Sequence, residues 1–184
     1  MKAIFLNIGL ILILLLSACG SAGSSSSFLP TDKAILYAMS YDNNPEKFKK
    51  TIQEGIDAGF SKEMSNAFAC SVARNPKIAQ KRYDEGIAGG LSDEEAKLYL
   101  ISVAPSAKMF KDRLQEGIDA GLDTDMSKAF GIGLEPSAKD FQRTLDAGDF
   151  SKLDKNLIKY FKCNKENNVE GFLNRIKAAR AMGL

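Results

Sequence analysis

Two sets of residues in this chain have the types and spacing that chemistry could use: a column of acids and three cysteines. Glu54, Glu85 and Glu116 follow one another at one constant interval, and Asp57 and Asp119 accompany two of them. Such a column can meet a basic partner. It can also cleave a glycoside if two acids face each other about 5–10 Å apart across a cleft. The sugar reading lacks support, because the chain has no tryptophan to stack on a ring. The acids stand near expected helix C-termini, where the dipole disfavours negative charge, so they read as a solvated face that a basic partner can use. No histidine occurs. That removes Ser-His-Asp and Cys-His catalysis and every His-ligated metal site. No Ser-x-x-Lys and no Gly-rich phosphate loop is present. The sequence therefore implies no enzyme, no cofactor and no metal.

The cysteines divide by position. Cys19 closes an N-terminal apolar run, Ala3 to Leu16, that follows Lys2 and ends in Leu16-Ser17-Ala18-Cys19. The run has the form of a secretory signal and is short for a membrane span. LSAC followed by Gly20 resembles the lipobox of bacterial lipoproteins. The resemblance implies cleavage before Cys19, lipid on Cys19, and sorting to the outer membrane, facing the periplasm, because Gly20 is not Asp. Residues 20–27 (GSAGSSSS) are a flexible tether by composition. Cys70 and Cys163 lie three periods of 31 apart in the same row of the repeat. Stacked layers about 8–10 Å thick would separate them by roughly 25–30 Å, beyond the 7 Å or so that a disulfide tolerates. Both are expected as separate, buried thiols.

The elements that position these residues are repeated helices. EGIDAG at Glu54–Gly59 returns as EGIAGG at Glu85–Gly90 and as EGIDAG at Glu116–Gly121, and RTLDAG ends at Gly148 as a worn fourth copy after a local deletion. A fixed period in this range signals stacked supersecondary units. Pro45, Pro76, Pro105 and Pro136 mark the starts of one helix per unit, with Asn44 and Asn75 as caps; Gly59, Gly90, Gly121 and Gly148 mark the stops. Ser61, Ser92, Ser151 and Asp123 or Thr124 then cap a second helix. Four-residue spacing puts Phe48, Ile52 and Ile56, and their counterparts ending in Ile87 and Ile118, on the core face of the first helix. Tyr37, Phe68, Tyr99, Phe130 and Phe161 recur once per period in the second helix and are expected to fill the core. Gly55, Gly86 and Gly117 inside the first helix cost about 1 kcal/mol each against Ala. Their recurrence predicts a close helix–helix approach.

The fold class expected is all-α: a solenoid of helical hairpins over residues 28–164, with residues 165–184 as a C-terminal cap that departs from the repeat. The helix pairs, such as Ala34 to Gly59, resemble ankyrin units, although the T-P-L-H start and the β-hairpin finger are missing. Net charge is +2, mildly acidic in the body and basic at the C-terminal end, without the basic stripe of a nucleic-acid binder. The expected function is that of a lipid-anchored envelope protein that binds another protein, as a scaffold or assembly subunit. An immunity lipoprotein that captures a toxin is the second reading, and an enzyme acting on the envelope the outsider. The residues singled out are Cys19 for lipidation and Glu54, Glu85, Glu116, Asp57 and Asp119 for partner contact.

Overall fold

A computed structural model of the protein describes residues 27–164 and 168–184. The expected signal peptide, Cys19, nearly all of the expected tether and residues 165–167 lie outside the described residues. Within them the chain is all-α, with ten helices and no strand. The helices are α1 (Lys33–Met39), α2 (Pro45–Asp57), α3 (Lys62–Cys70), α4 (Pro76–Ala88), α5 (Asp93–Ile101), α6 (Ala107–Asp119), α7 (Thr124–Ile132), α8 (Ala138–Ala147), α9 (Ile158–Lys162) and α10 (Val169–Ala181).

Capping residues set the boundaries. The even-numbered helices begin after Asn44, Asn75, Ser106, Ser137 and Asn168, each one period from the last, and each side chain accepts a hydrogen bond from the first turn. Pro45 and Pro76 hold the first helical position, as expected. Pro105 and Pro136 instead precede the caps, because Ser106 and Ser137 take over that role. Four of these helices end in the same turn: Gly59, Gly90, Gly121 and Gly183 take φ of +89°, +80°, +85° and +74°. The following residue then donates back to the carbonyl five positions earlier, as in Leu91 to Gly86 at 3.1 Å. α8 lacks such a glycine, since Lys152 occupies the place of Gly121. It stops at Ala147, sooner than its counterparts. Gly148 is thus the counterpart of Gly117, not of Gly121, and the chain has no deletion there. Asp154, not Ser151, then accepts the N-terminal hydrogen bond of the next turn, Lys155–Leu157.

Burial separates two layers. The odd-numbered helices are covered on nearly every side: α3 buries all residues from Met64 to Cys70. The even-numbered helices bury one stripe, such as Phe48, Thr51, Ile52 and Gly55 of α2. The odd helices are therefore inner and the even ones outer. Every residue of the aromatic row from Tyr37 to Phe161 is buried, as is the row from Met39 to Cys163. Aromatic pairs join inner helices to the outer helix that follows: Tyr37–Phe48, Tyr99–Phe110, Phe130–Phe141 and Phe161–Phe172 have centroids 5.7–5.9 Å apart. Each fully buried phenylalanine contributes about 1.5–3 kcal/mol. The glycine prediction holds: a Cβ added at Gly86 would lie 3.2 Å from the Cα of Ala96, and one at Gly117 3.1 Å from the Cα of Ser127.

The inner helices do not form an open series. α1 touches α3, α3 touches α5, α5 touches α7, α7 touches α9, and α9 touches α1 again. The ring is closed, and α10 packs along α1. From position 30 to position 184 the chain makes five full periods, so α10 is the fifth outer helix in register. Its Arg175 points inward and donates to the carbonyls of Tyr37 (2.8 Å), Ser40 (2.9 Å) and Asp42 (2.7 Å). Arg82 and Arg113 treat α5 and α7 in the same way. Each guanidinium also lies over the aromatic ring of its inner helix, at 3.9, 4.1 and 4.5 Å for Arg82, Arg113 and Arg175.

Two outcomes follow from this packing. Arg175→Ala should lower unfolding stability by about 3 kcal/mol, because three carbonyls lose a charged donor and a ring its cation. Arg180→Ala, which breaks only the exposed pair with Asp32, should stay within about 0.5 kcal/mol. Equal effects in urea titrations would exclude Arg175 as the closing contact. Gly86→Leu should cost about 2 kcal/mol or more through overpacking, read as a drop in Tm; an unchanged Tm would refute the close approach.

Candidate functional site

The predicted acids are exposed, but they do not act as one surface. Glu85 accepts a 3.0 Å hydrogen bond from the Tyr99 hydroxyl. Glu116 accepts one of 2.8 Å from the Ala138 amide at the start of α8. Glu54 makes a loose pair with Lys50, and Asp57 and Asp119 accept from Gln53 and Gln115 one turn earlier. Two of the three glutamates thus have structural work on neighbouring elements. None of the five belongs to a group that could hold a metal among the described residues.

Ile56, Ile87 and Ile118 were expected in the core and are exposed instead. The buried stripe runs through Phe48 and Ile52 to Gly55, and through Phe110 and Leu114 to Gly117, so in the last turn the glycine faces the inner helix and the isoleucine after it falls beside the contact. The large exposed apolar residues fall mostly into rows at the repeat period. Val72, Val103 and Leu134 follow α3, α5 and α7, and Ile78 and Met109 stand in the first turns of α4 and α6. Their signal was present in the sequence as one apolar residue per unit at a fixed place in the loop.

The column that holds Arg82, Arg113 and Arg175 has threonine in the other two units, Thr51 and Thr144. Both places are hollow. A cavity of about 180 Å³ lies beside Thr51. A larger one of about 720 Å³ lies beside Thr144, where the shortened α8 also withdraws; Glu135, Phe150, Phe161 and Lys162 line it. Lys162 partly replaces the missing guanidinium, bonding Glu135 and, at 2.7 Å, the Thr144 hydroxyl.

The N-terminal end of the described chain enters the ring at its axis. Phe28 is buried; its amide donates to Glu94 of α5 at 2.7 Å, and its ring meets Tyr160 of α9 edge-on at 5.8 Å. Lys128 bonds the same Glu94, and Lys159 bonds Asp125, so ion pairs link successive inner helices around this rim.

Cys70 and Cys163 are free and buried, as expected. The linear stack expected for them is replaced by a ring, in which α3 and α9, the helices that end at or beside Cys70 and Cys163, both pack on α1. Burial pushes both thiols far up, with Asp42 adding to it at Cys70 and Glu135 at Cys163. No helix among the described residues is long and apolar enough to cross a membrane. Comparison with protein families, characterised proteins and solved structures finds no match to the chain.

The thiols give a direct check of the core. In a Cys19→Ser chain at pH 8, Cys70 and Cys163 should not react with an aromatic disulfide reagent while folded, and both should react in denaturant. Rapid reaction of the native protein would contradict their burial.

Proposed function

We propose that the chain is a lipid-anchored protein of the bacterial envelope, held on the periplasmic face of the outer membrane, and that it binds another protein through its helical-repeat surface. In architecture it is a solenoid of repeated hairpins, related to ankyrin-type pairs without their fingers, whose two ends have met. The anchor reading is supported by the signal-like run, LSAC at 16–19 and the Gly/Ser tether. The observation that carries protein binding is the arrangement of exposed apolar side chains. Isolated surface apolar residues are ordinary. Here they recur at equivalent places in successive units, which sets them out in rows around the ring, and exposed apolar residues grouped on one surface mark interaction sites. A rigid ring with a charged, repeated surface suits a scaffold or assembly subunit, since repeat proteins present extended binding faces.

The anchor is tested by labelling cells with an alkyne fatty acid. The full chain should carry the label and sediment with outer membranes. Cys19→Ser should lose the label and appear in the soluble periplasmic fraction. Label retained in Cys19→Ser would overturn the anchor.

A further inference from the structure

Residues 28–32 form a strap that fixes where the chain enters the ring. α5 and α9 are not adjacent in the ring: α7 stands between them on one side, α1 and α3 on the other. Phe28 nevertheless bonds Glu94 at the start of α5 and packs on Tyr160 of α9. It therefore lies across the ring axis. Leu29 is buried beside it, and the Lys159 ammonium stands 5.4 Å from the centre of the Phe28 ring. The strap ends at Asp32, which caps α1 and pairs with Arg180 of α10 at 3.0 Å. All inner helices run in the same direction, because each leads from a turn after an outer helix to a loop before the next. Their N-termini lie on one rim, with the strap, and their C-termini on the other. Val72, Val103 and Leu134 follow inner helices, so their exposed row stands on the rim opposite the strap.

We infer that the strap and its short tether turn the N-terminal rim toward the anchoring membrane and present the opposite rim, with the row of Val72, Val103 and Leu134, away from it. The inference rests on the anchored reading above and adds the face that the ring shows to the bilayer. Nine links join Cys19 to Phe28. At roughly 3.3–3.6 Å each they reach about 32 Å at full stretch, and a Gly/Ser chain of this length spans only roughly 15–18 Å on average. To lay the opposite rim on the bilayer, the tether would have to run from the axis to the outer edge and then along the side. Helices packed about 8–10 Å apart put the five inner helices roughly 7–8.5 Å from the axis, and the outer layer carries the edge to roughly 20–24 Å. The shortest outer helix, α8, has ten residues and adds about 15 Å. The route is thus at least about 35 Å, and about 40 Å past the thirteen-residue helices α2, α4 and α6. The tether is too short for either. The row is held off the anchoring bilayer, and the protein partner proposed above meets it from the side away from the lipid.

The test is energy transfer in vesicles of phosphatidylethanolamine and phosphatidylglycerol that carry acceptor-labelled headgroups. The full chain, purified from membranes with its lipid, bears a donor dye at Lys62→Cys or at Val72→Cys. These positions stand at the start and just past the end of α3, about 15 Å apart along one inner helix. They differ in height above the bilayer and not in distance from the ring axis. Equal thermal melts show that both labelled variants fold. Lys62→Cys should transfer about twofold more efficiently than Val72→Cys over that separation. Inserting about twenty Gly/Ser residues after Ser27 leaves every described contact in place and frees the ring to turn over; the two dyes should then agree within about 20%. Equal transfer at the natural tether length, or stronger transfer from Val72→Cys, would overturn the orientation and leave the anchor standing. A difference that survives the long tether would also refute it. A chain that carries no lipid on Cys19, or that fails to float with the vesicles, would overturn the anchored reading and the orientation with it.

Discussion

Every inner helix ends inside the molecule with carbonyl groups that water reaches poorly, and the fold depends on how they are satisfied. A buried carbonyl without a donor costs about 1–3 kcal/mol. Arg82 and Arg113 answer this for α5 and α7, each reaching across from the outer helix of its own hairpin. In both cases a turn already ties the two helices together. For α1 there is no such turn: its outer partner, α10, comes from the far end of the chain. Arg175 supplies the same three hydrogen bonds there without covalent help. The ring is held at its one open hairpin by the contact that two of the other hairpins repeat.

Closure also explains features that an open stack would leave odd. An open series needs polar caps at both ends. Here α1 has neighbours on both flanks, α3 and α9, and its outer helix besides, so its buried face is as complete as those of α5 and α7. The row of Tyr37, Phe68, Tyr99, Phe130 and Phe161 becomes a circle, and the helices that lead to the two thiols become the two flanks of α1. Where the period lapses, packing lapses with it. Thr144 in place of arginine and Lys152 in place of glycine fall in one unit, and a cavity of about 720 Å³ lies beside Thr144.

Much of this is legible in the sequence, and the failures have physical causes. The helices, their Asn and Ser caps, the left-handed glycines and the buried aromatic row can be read directly, because caps and turns are local chemistry. Ile56 misleads because a strict four-residue spacing drifts off a 3.6-residue helix face, and by the last turn the contact has passed to Gly55. Gly148 misleads because one glycine can close a helix or allow a neighbour to approach, and RTLDAG resembles the motif at the wrong glycine. Closure escapes notice although Asn44, Asn75 and Asn168 lie in one register. The apolar face of α10 looks the same whether it covers the last unit or the first. Arg175, at the same phase as Arg82 and Arg113, is the available signal. Of the candidate site, the glutamates are visible but two of them have structural roles. The exposed rows go unread because apolar residues in a repeat are first taken for core.

The pairing of α1 with α10 has a consequence for the order in which the molecule is made. As the chain emerges in synthesis, α2–α3, α4–α5 and α6–α7 can each close on their own turn, within about 30 residues, a short loop to form. α1 appears first and waits longest, since the helix that covers it is made last. Until then its flank of buried residues, Leu36 and Tyr37 among them, has no permanent cover. A chain that stops before α10 is complete would keep α1 open along that flank. The cover of the first helix thus depends on the tenth, and a copy cut short of α10 is marked by the surface it leaves bare.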